Sequence, residues 1–158
     1  MDSNDWKVSL LSFNLKNQSD QIINYIDLDK DDNVIVKISC TIFFPEKLKE
    51  NIISNLEGRT YPHIARIYSL VSFKNLYIAD QHISLKLEDL KKSNFMRLEF
   101  QFNCPRYIKS IDNETIPVEN CHIQLAYSTK HDGEMGISEA IRLGTFLETT
   151  IPVYEVKK

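Results

Sequence analysis

Phe95-Met-Arg-Leu-Glu-Phe-Gln-Phe102 decides the fold of this 158-residue chain. Met96, Leu98, Phe100 and Phe102 fall on one face, and Arg97, Glu99 and Gln101 on the other. Side chains of an extended strand alternate between faces, so this is a strand with one dry side and one wet side. The same beat recurs in Val34, Val36, Ile38, Cys40, Ile42 and Phe44, and again in Cys121, Ile123, Leu125 and Tyr127.

Working outward, Trp6 to Leu15 alternates with a phase slip between Leu10 and Leu11, which predicts a bulge. Ile22–Leu28 and Val34–Phe44 flank Asp29-Lys-Asp-Asp-Asn33, a turn composition because Asp and Asn bond their own backbone. That arrangement predicts a hairpin. Thr60–Phe73 fits strand and helix equally well. Ile83, Leu85 and Leu87 alternate with polar residues, and Asp89–Asn94 leads back into the Phe95 strand. Asn103-Cys-Pro105 ends that strand, since proline cannot donate to a ladder. Residues 108–119 are polar and rich in turn formers. Thr149–Val156 reads as a last strand at a sheet edge, with Pro152 excluding a central place and Lys157 and Lys158 blunting the edge.

One amphipathic helix is expected over about 46–57. Pro45 suits its first turn, Glu46 complements the dipole and Gly58 supplies the stop, while Leu48, Ile52, Ile53 and Leu56 form one apolar stripe to cover a sheet face. A second helix is expected near 137–147 through Ile137, Ile141 and Leu143, weakened by Gly144 and Thr145. The fold class is therefore mainly β (α+β): an antiparallel β-sandwich-like sheet of about seven to nine strands in a single domain, 1–158. A chain of this length can bury roughly two-thirds of its unfolded surface. Ile35, Phe43, Phe95 and Ala126 lie opposite the expected core faces, which implies either a second covered face or a surface for assembly.

The motifs exclude more than they assign. Four glycines, Gly58, Gly133, Gly136 and Gly144, cannot build a phosphate cradle, which needs several within a few residues. Asp27–Asn33 opens like a calcium loop, but Asp32 and Ile38 stand where that loop needs glycine and a bidentate glutamate. His63, His82, His122 and His131 include no pair with zinc-site spacing, and there is no Cys-x-x-Cys. Gly136-Ile-Ser-Glu-Ala140 lacks the closing glycine of a nucleophile elbow. A separated acid followed by acid-x-Lys, as in metal nucleases, fails because Ile35 stands in the acid's place in Val34-Ile-Val-Lys37. No catalytic, metal or cofactor residue is assigned. Cys40, Cys104 and Cys121 read as reduced, buried thiols, with a Cys104–Cys121 bridge allowed by spacing alone. The acidic Met1-Asp-Ser-Asn-Asp start is unlike a secretory leader, and no apolar run nears the ~20 residues that span a bilayer. These features predict a cytoplasmic protein with no membrane contact.

Charge is distributed unevenly. Residues 1–43 carry four basic and seven acidic groups, 44–109 eleven and seven, and 110–158 four and eight. In the basic middle, Arg59, Arg66, Lys74, Arg106 and Lys109 interleave with Tyr61, Tyr68, Tyr77 and Tyr107, the combination that single-stranded nucleic-acid binders use. The net charge of −3 is the opposite of what a dedicated binder carries. The expected function is a non-enzymatic protein-interaction or assembly module, self-associating through strand edges or an apolar face, of structural, adaptor, immunity or chaperone type, with phage or virus origin compatible. Two alternatives stand beside it: nucleic-acid binding through that basic segment, and a small enzyme with a His/carboxylate loop site near 131–134, where His131 or His122 would meet Asp132 or Glu134.

Overall fold

The Phe95 strand alternates as its sequence dictates. Leu98, Phe100, Phe102 and Cys104 are buried, while Arg97, Glu99, Gln101 and Asn103 are exposed. The computed structural model describes residues 7–28, 33–56, 65–128, 141 and 144–154. Among these, the chain order is β1 (Ser9–Lys16), β2 (Ile26–Asp27), β3 (Asn33–Phe43), α1 (Glu46–Leu56), β4 (Arg66–Phe73), β5 (Leu76–Ser84), α2 (Leu87–Lys92), β6 (Phe95–Pro105), β7 (Tyr107–Lys109), β8 (Thr115–Pro117), β9 (Asn120–Ser128) and β10 (Thr145–Tyr154). The expected mainly-β, α+β architecture is the one observed.

Two sheets share one interior. The first is β1-β3-β6, antiparallel throughout, with Phe43 opposite Phe95 and Asn33 opposite Pro105. The second is β2-β10-β9-β4-β5, antiparallel except where β2 runs parallel to the end of β10. A small β7–β8 ribbon forms within the polar stretch 108–119. Val36, Ile38, Ile42, Leu98 and Phe100 from the first sheet and Ile67, Val71, Ile123, Leu125 and Ile151 from the second belong to one buried cluster. Each large apolar side chain removed from water in this way contributes roughly 1.5–3 kcal/mol. The rings of Phe44 and Tyr127 meet edge-on across the interior at 6.0 Å.

Both helices sit where the chain changes sheets. α1 carries it from β3 to β4 and α2 from β5 to β6, so both lie at the same end of the sandwich, and they pack on each other. This corrects the expectation that α1 lies across a sheet face. Leu48 and Ile52 are buried as its apolar stripe requires. Asn94 fastens this end. Its amide donates to the Phe44 carbonyl (2.9 Å) and to Glu46 (3.0 Å), its side-chain oxygen accepts from Lys49 (3.2 Å), and its carbonyl accepts from the Phe44 N–H (2.8 Å). α2 was not foreseen; its only buried residue is Leu90. Gly58, the expected stop of α1, lies outside the described residues.

Local chemistry accounts for several details. β1 slips register against β3 between Leu10 and Ser12, which is the expected bulge and leaves Leu11 exposed. Thr60–Phe73 resolves as strand from Arg66 onward, with residues 60–64 outside the described set. β4 and β5 join through Lys74 and Asn75, with φ of 50° and 62°. Two successive left-handed residues make the tight turn whose twist matches flanking strands. In the segment expected as a second helix near 137–147, Ile141 and Gly144 are helical and Thr145–Leu147 belong to β10; the rest lies outside the described residues. A Cβ on Gly144 would run into the Tyr127 backbone carbonyl, so only glycine permits this close approach.

One expectation is overturned and another narrowed. Ile22–Leu28 makes no hairpin with the Val34 strand: Ile22 bridges to Lys16, and β2 pairs in parallel with β10, Ile26 opposite Val153 and Asp27 opposite Tyr154. Hydrophobicity and a nearby turn marked a strand but not its partner. The last strand, in turn, is a sheet edge only as far as Pro152, because β2 lies outside its final two residues. Of the apolar residues opposite the core, Ala126 is fully buried, whereas Phe95 stays exposed with its ring 5.2 Å from that of Phe43.

Candidate functional site

A sandwich has two seams, and here they differ. At one, β5 and β6 run side by side, and the Gln81 side-chain oxygen accepts the Gln101 backbone N–H at 3.0 Å. That bond occupies an edge donor that would otherwise be open to another strand. At the other seam, β1 and β10 approach each other without pairing and leave a groove of about 270 Å³. Phe13 and Leu15 of β1, Ile22 and Ile23 of the following loop, and Thr149 and Ile151 of β10 line it. The loop is held by Ile23, whose N–H donates to the Leu15 carbonyl at 2.9 Å, and by Asn17, whose side-chain oxygen accepts the N–H groups of Ser19 and Gln21. Ile22 remains 69% exposed although it lines the groove. Beyond it the Tyr25 and Tyr154 rings meet edge-on at 5.4 Å, each about half exposed.

The backbone of β10 faces this groove with a defined parity. The Val153 N–H donates toward β9, to the Glu119 carbonyl at 2.9 Å, whereas the Tyr154 carbonyl accepts the Leu28 N–H from the β2 side at 3.0 Å. Strand groups point alternately to either side, and the β9–β10 register is unbroken from Leu147 to Pro152. Leu147, Thr149, Ile151 and Val153 therefore bond to β9, while the backbone groups of Glu148, Thr150 and Pro152 point the other way. Among the described residues, no strand pairs there until Val153 meets β2. Pro152 is tolerated for the same reason: its missing N–H lies on the unladdered side.

On the outer face of the same strands, His122 Nε2 lies 2.7 Å from Glu148 Oε1 and His122 Nδ1 lies 3.2 Å from Thr150 Oγ1, while Gln124 donates to Glu148 at 3.4 Å. A hydroxyl, an imidazole and a carboxylate in line have the order of a nucleophile, base and orienter. They lie on an open sheet surface, with the histidine side chain 33% and the glutamate 56% exposed. Among the described residues the carboxylate beside His122 is Glu148; His131, Asp132 and Glu134 fall outside them. Among the described residues no group of three His, Cys, Asp or Glu side chains could hold a metal ion. The calcium-like opening keeps Asp27 in β2, and its Ile38 is buried in β3.

Arg66 begins β4 and Lys74 follows its end, so they stand roughly 25 Å apart along the strand. Lys74 Nζ lies 5.3 Å from the centre of the Phe73 ring. Arg106 donates to the Leu28 carbonyl at 2.5 Å, and Lys109 donates to Thr115 Oγ1 at 2.6 Å within the β7–β8 ribbon. Arg59 lies outside the described residues. Sequence reasoning missed Glu148, Thr150 and the groove itself, because an open seam is made of backbone and has no side-chain signature.

No protein-family model matches the chain, and no curated protein matches it in sequence. Among solved structures, the C-terminal domain of Wzt is similar, with a TM-score of 0.50 and 7% identity over 96% of this chain and 74% of that one. A β-glucosidase from Listeria innocua in complex with glucose overlaps at a TM-score of 0.37 and 8% identity, over 90% of this chain and 16% of that one, too loosely to carry an argument. No helix among the described residues is long and apolar enough to cross a membrane. The likeness to the Wzt domain is one of fold alone.

Proposed function

We propose that this domain is a non-enzymatic, cytoplasmic interaction module. It takes an extended polypeptide segment, from a protein partner or from a second copy of this chain, along the open seam between β1 and β10. The observation that carries this reading is the asymmetry of the seams: Gln81 covers one, whereas the other pairs an unladdered run of β10 backbone with an apolar groove. Strand addition draws affinity from main-chain hydrogen bonds and specificity from pockets that take alternate side chains. Glu148 and Thr150 supply the main-chain groups, and Phe13, Ile22 and Ile151 supply the pocket walls. The separation of Arg66 from Lys74, and the engagement of Arg106 and Lys109 by neighbouring groups, favour this reading over nucleic-acid binding, which needs positive charge converging along one track.

The test is mass in solution by light scattering across a concentration series, with affinity capture from source extract and a Thr150→Pro variant in parallel. Self-association or a captured polypeptide that Thr150→Pro abolishes supports the proposal. A strict monomer that captures nothing, or capture that Thr150→Pro leaves unchanged, refutes it.

A further inference from the structure

Cys104 lies near the end of β6 in the three-stranded sheet, and Cys121 near the start of β9 in the five-stranded sheet. Both are fully buried, and their sulfurs face each other across the interior at 3.6 Å. We infer that Cys104 and Cys121 form an oxidation site, a dithiol that closes to a disulfide and staples the two sheets together. The register explains the meeting. Cys104 pairs with Val34 and Cys121 with Ile151, each with its side chain turned inward from its own sheet. The sulfurs need to close by only about 1.5 Å to reach bonding distance.

The two thiols are not equivalent. Either sulfur can donate in this contact, and the hydrogen bond between them holds the Cys104 thiol below its ordinary range and pushes Cys121 up. Either thiol, once oxidised, has the other in place to resolve it, so the steps beginning at Cys104 hold with the roles exchanged as well. With a peroxide as oxidant, the Cys104 sulfur attacks one oxygen and the O–O bond breaks. The released hydroxide leaves as water with the Cys104 proton, and a sulfenic acid remains. Cys121 then attacks the Cys104 sulfur, the S–O bond breaks, and the hydroxyl leaves as a second water with the Cys121 proton. Two thiols and one hydrogen peroxide give one disulfide and two waters. Cys40 is the internal control: it is buried in β3, and burial pushes its thiol up to about 11.

The bridge has a consequence for the neighbouring groove, since Cys121 stands opposite Ile151 in the groove wall. The test treats the full chain with hydrogen peroxide, blocks remaining thiols after denaturation, and maps cysteine-containing peptides by mass spectrometry. The expected result is a Cys104–Cys121 linked peptide with Cys40 still reduced, together with a melting temperature raised by roughly 5–10 °C and restored by reductant. A Cys40→Ala variant should behave the same way. Cys104 and Cys121 recovered as free thiols, linkage through Cys40 or between chains, or no rise in melting temperature each overturns the inference. The mapping uses unaltered protein, so the result does not depend on whether cysteine variants fold.

Discussion

Replacing Thr149 and Thr150 by proline, one at a time, separates the two sides of β10. The Thr149 N–H belongs to the ladder with β9, opposite Ile123, as fixed by the Val153–Glu119 bond four residues on. Thr149→Pro deletes that bond, leaves a buried Ile123 carbonyl unsatisfied, and sets a ring against the neighbouring strand. The sum is about 3 kcal/mol or more. For a domain whose total stability is of order 5–15 kcal/mol, this amounts to roughly 6–12 °C in melting temperature. The Thr150 N–H points to the unladdered side, so Thr150→Pro should cost under about 1 kcal/mol, in part from losing the hydroxyl contact with His122. Thr150→Val, which keeps the N–H and drops the hydroxyl, isolates that part. Urea unfolding and thermal melts of the three variants provide the measurement. Equal losses for the two prolines, or a larger loss at Thr150, would refute the assigned parity and with it the open edge.

Three further outcomes follow from local geometry. Gly144→Ala drives a Cβ into the Tyr127 carbonyl and should cost about 1–3 kcal/mol in chemical denaturation, because backbone rather than a flexible side chain must yield. Lys74→Gly relieves a lysine held at φ 50° in the β4–β5 turn and should raise stability by a few tenths to about 1 kcal/mol; a loss of that size would contradict the left-handed assignment. Asp20 accepts a hydrogen bond from Lys37 at 2.9 Å, and that contact holds its carboxyl below the ordinary aspartate range. A carboxyl depressed on folding adds stability that is present above its unfolded pKa and is lost as pH falls through the folded one, here below about pH 4. Side-chain NMR titration should find the Asp20 midpoint depressed, and Lys37→Met should return it to normal.

How much of this was legible in the sequence follows from what side chains record. β3 and β6 were plain because each has one wet face, so burial writes itself as alternation from Val34 to Phe44 and from Met96 to Phe102. The β1 bulge was plain because one extra residue, Leu11, reverses the phase. Partner choice left no such trace. β2 contributes two residues and pairs with a strand more than a hundred positions away, and its apolar neighbours Ile22 and Ile23 turn out to line the groove rather than a hairpin. α2 escaped because six residues with one buried leucine carry no period. The meeting of Cys104 with Cys121 depends on how two sheets face each other, which spacing along the chain does not encode.

The open seam is also a constraint on the protein's own behaviour. Edge strands are normally blunted by lysines, bulges or cover, because bare backbone pairs with any extended chain. β1 is blunted by its bulge, and β5 and β6 cover each other through Gln81. Along the groove-facing run of β10 the one such device before Pro152 among the described residues is the charge of Glu148, which His122 partly engages from the outer face. Thr149 and Ile151 instead present β-branched side chains to the groove, the residue class that fits best against an added strand. Under the proposed function this run of backbone is where an extended partner segment or a second copy would add, and bare edges of this kind are also where aggregation starts. Glu148→Lys tests whether backbone pairing or the charge of this side chain would carry such occupancy. It keeps a charge on the edge while giving up the contact with His122, so a partner or dimer that depends on backbone pairing should survive at low concentration with reduced affinity. If occupancy were instead driven by the charge of Glu148, the same substitution would abolish it outright.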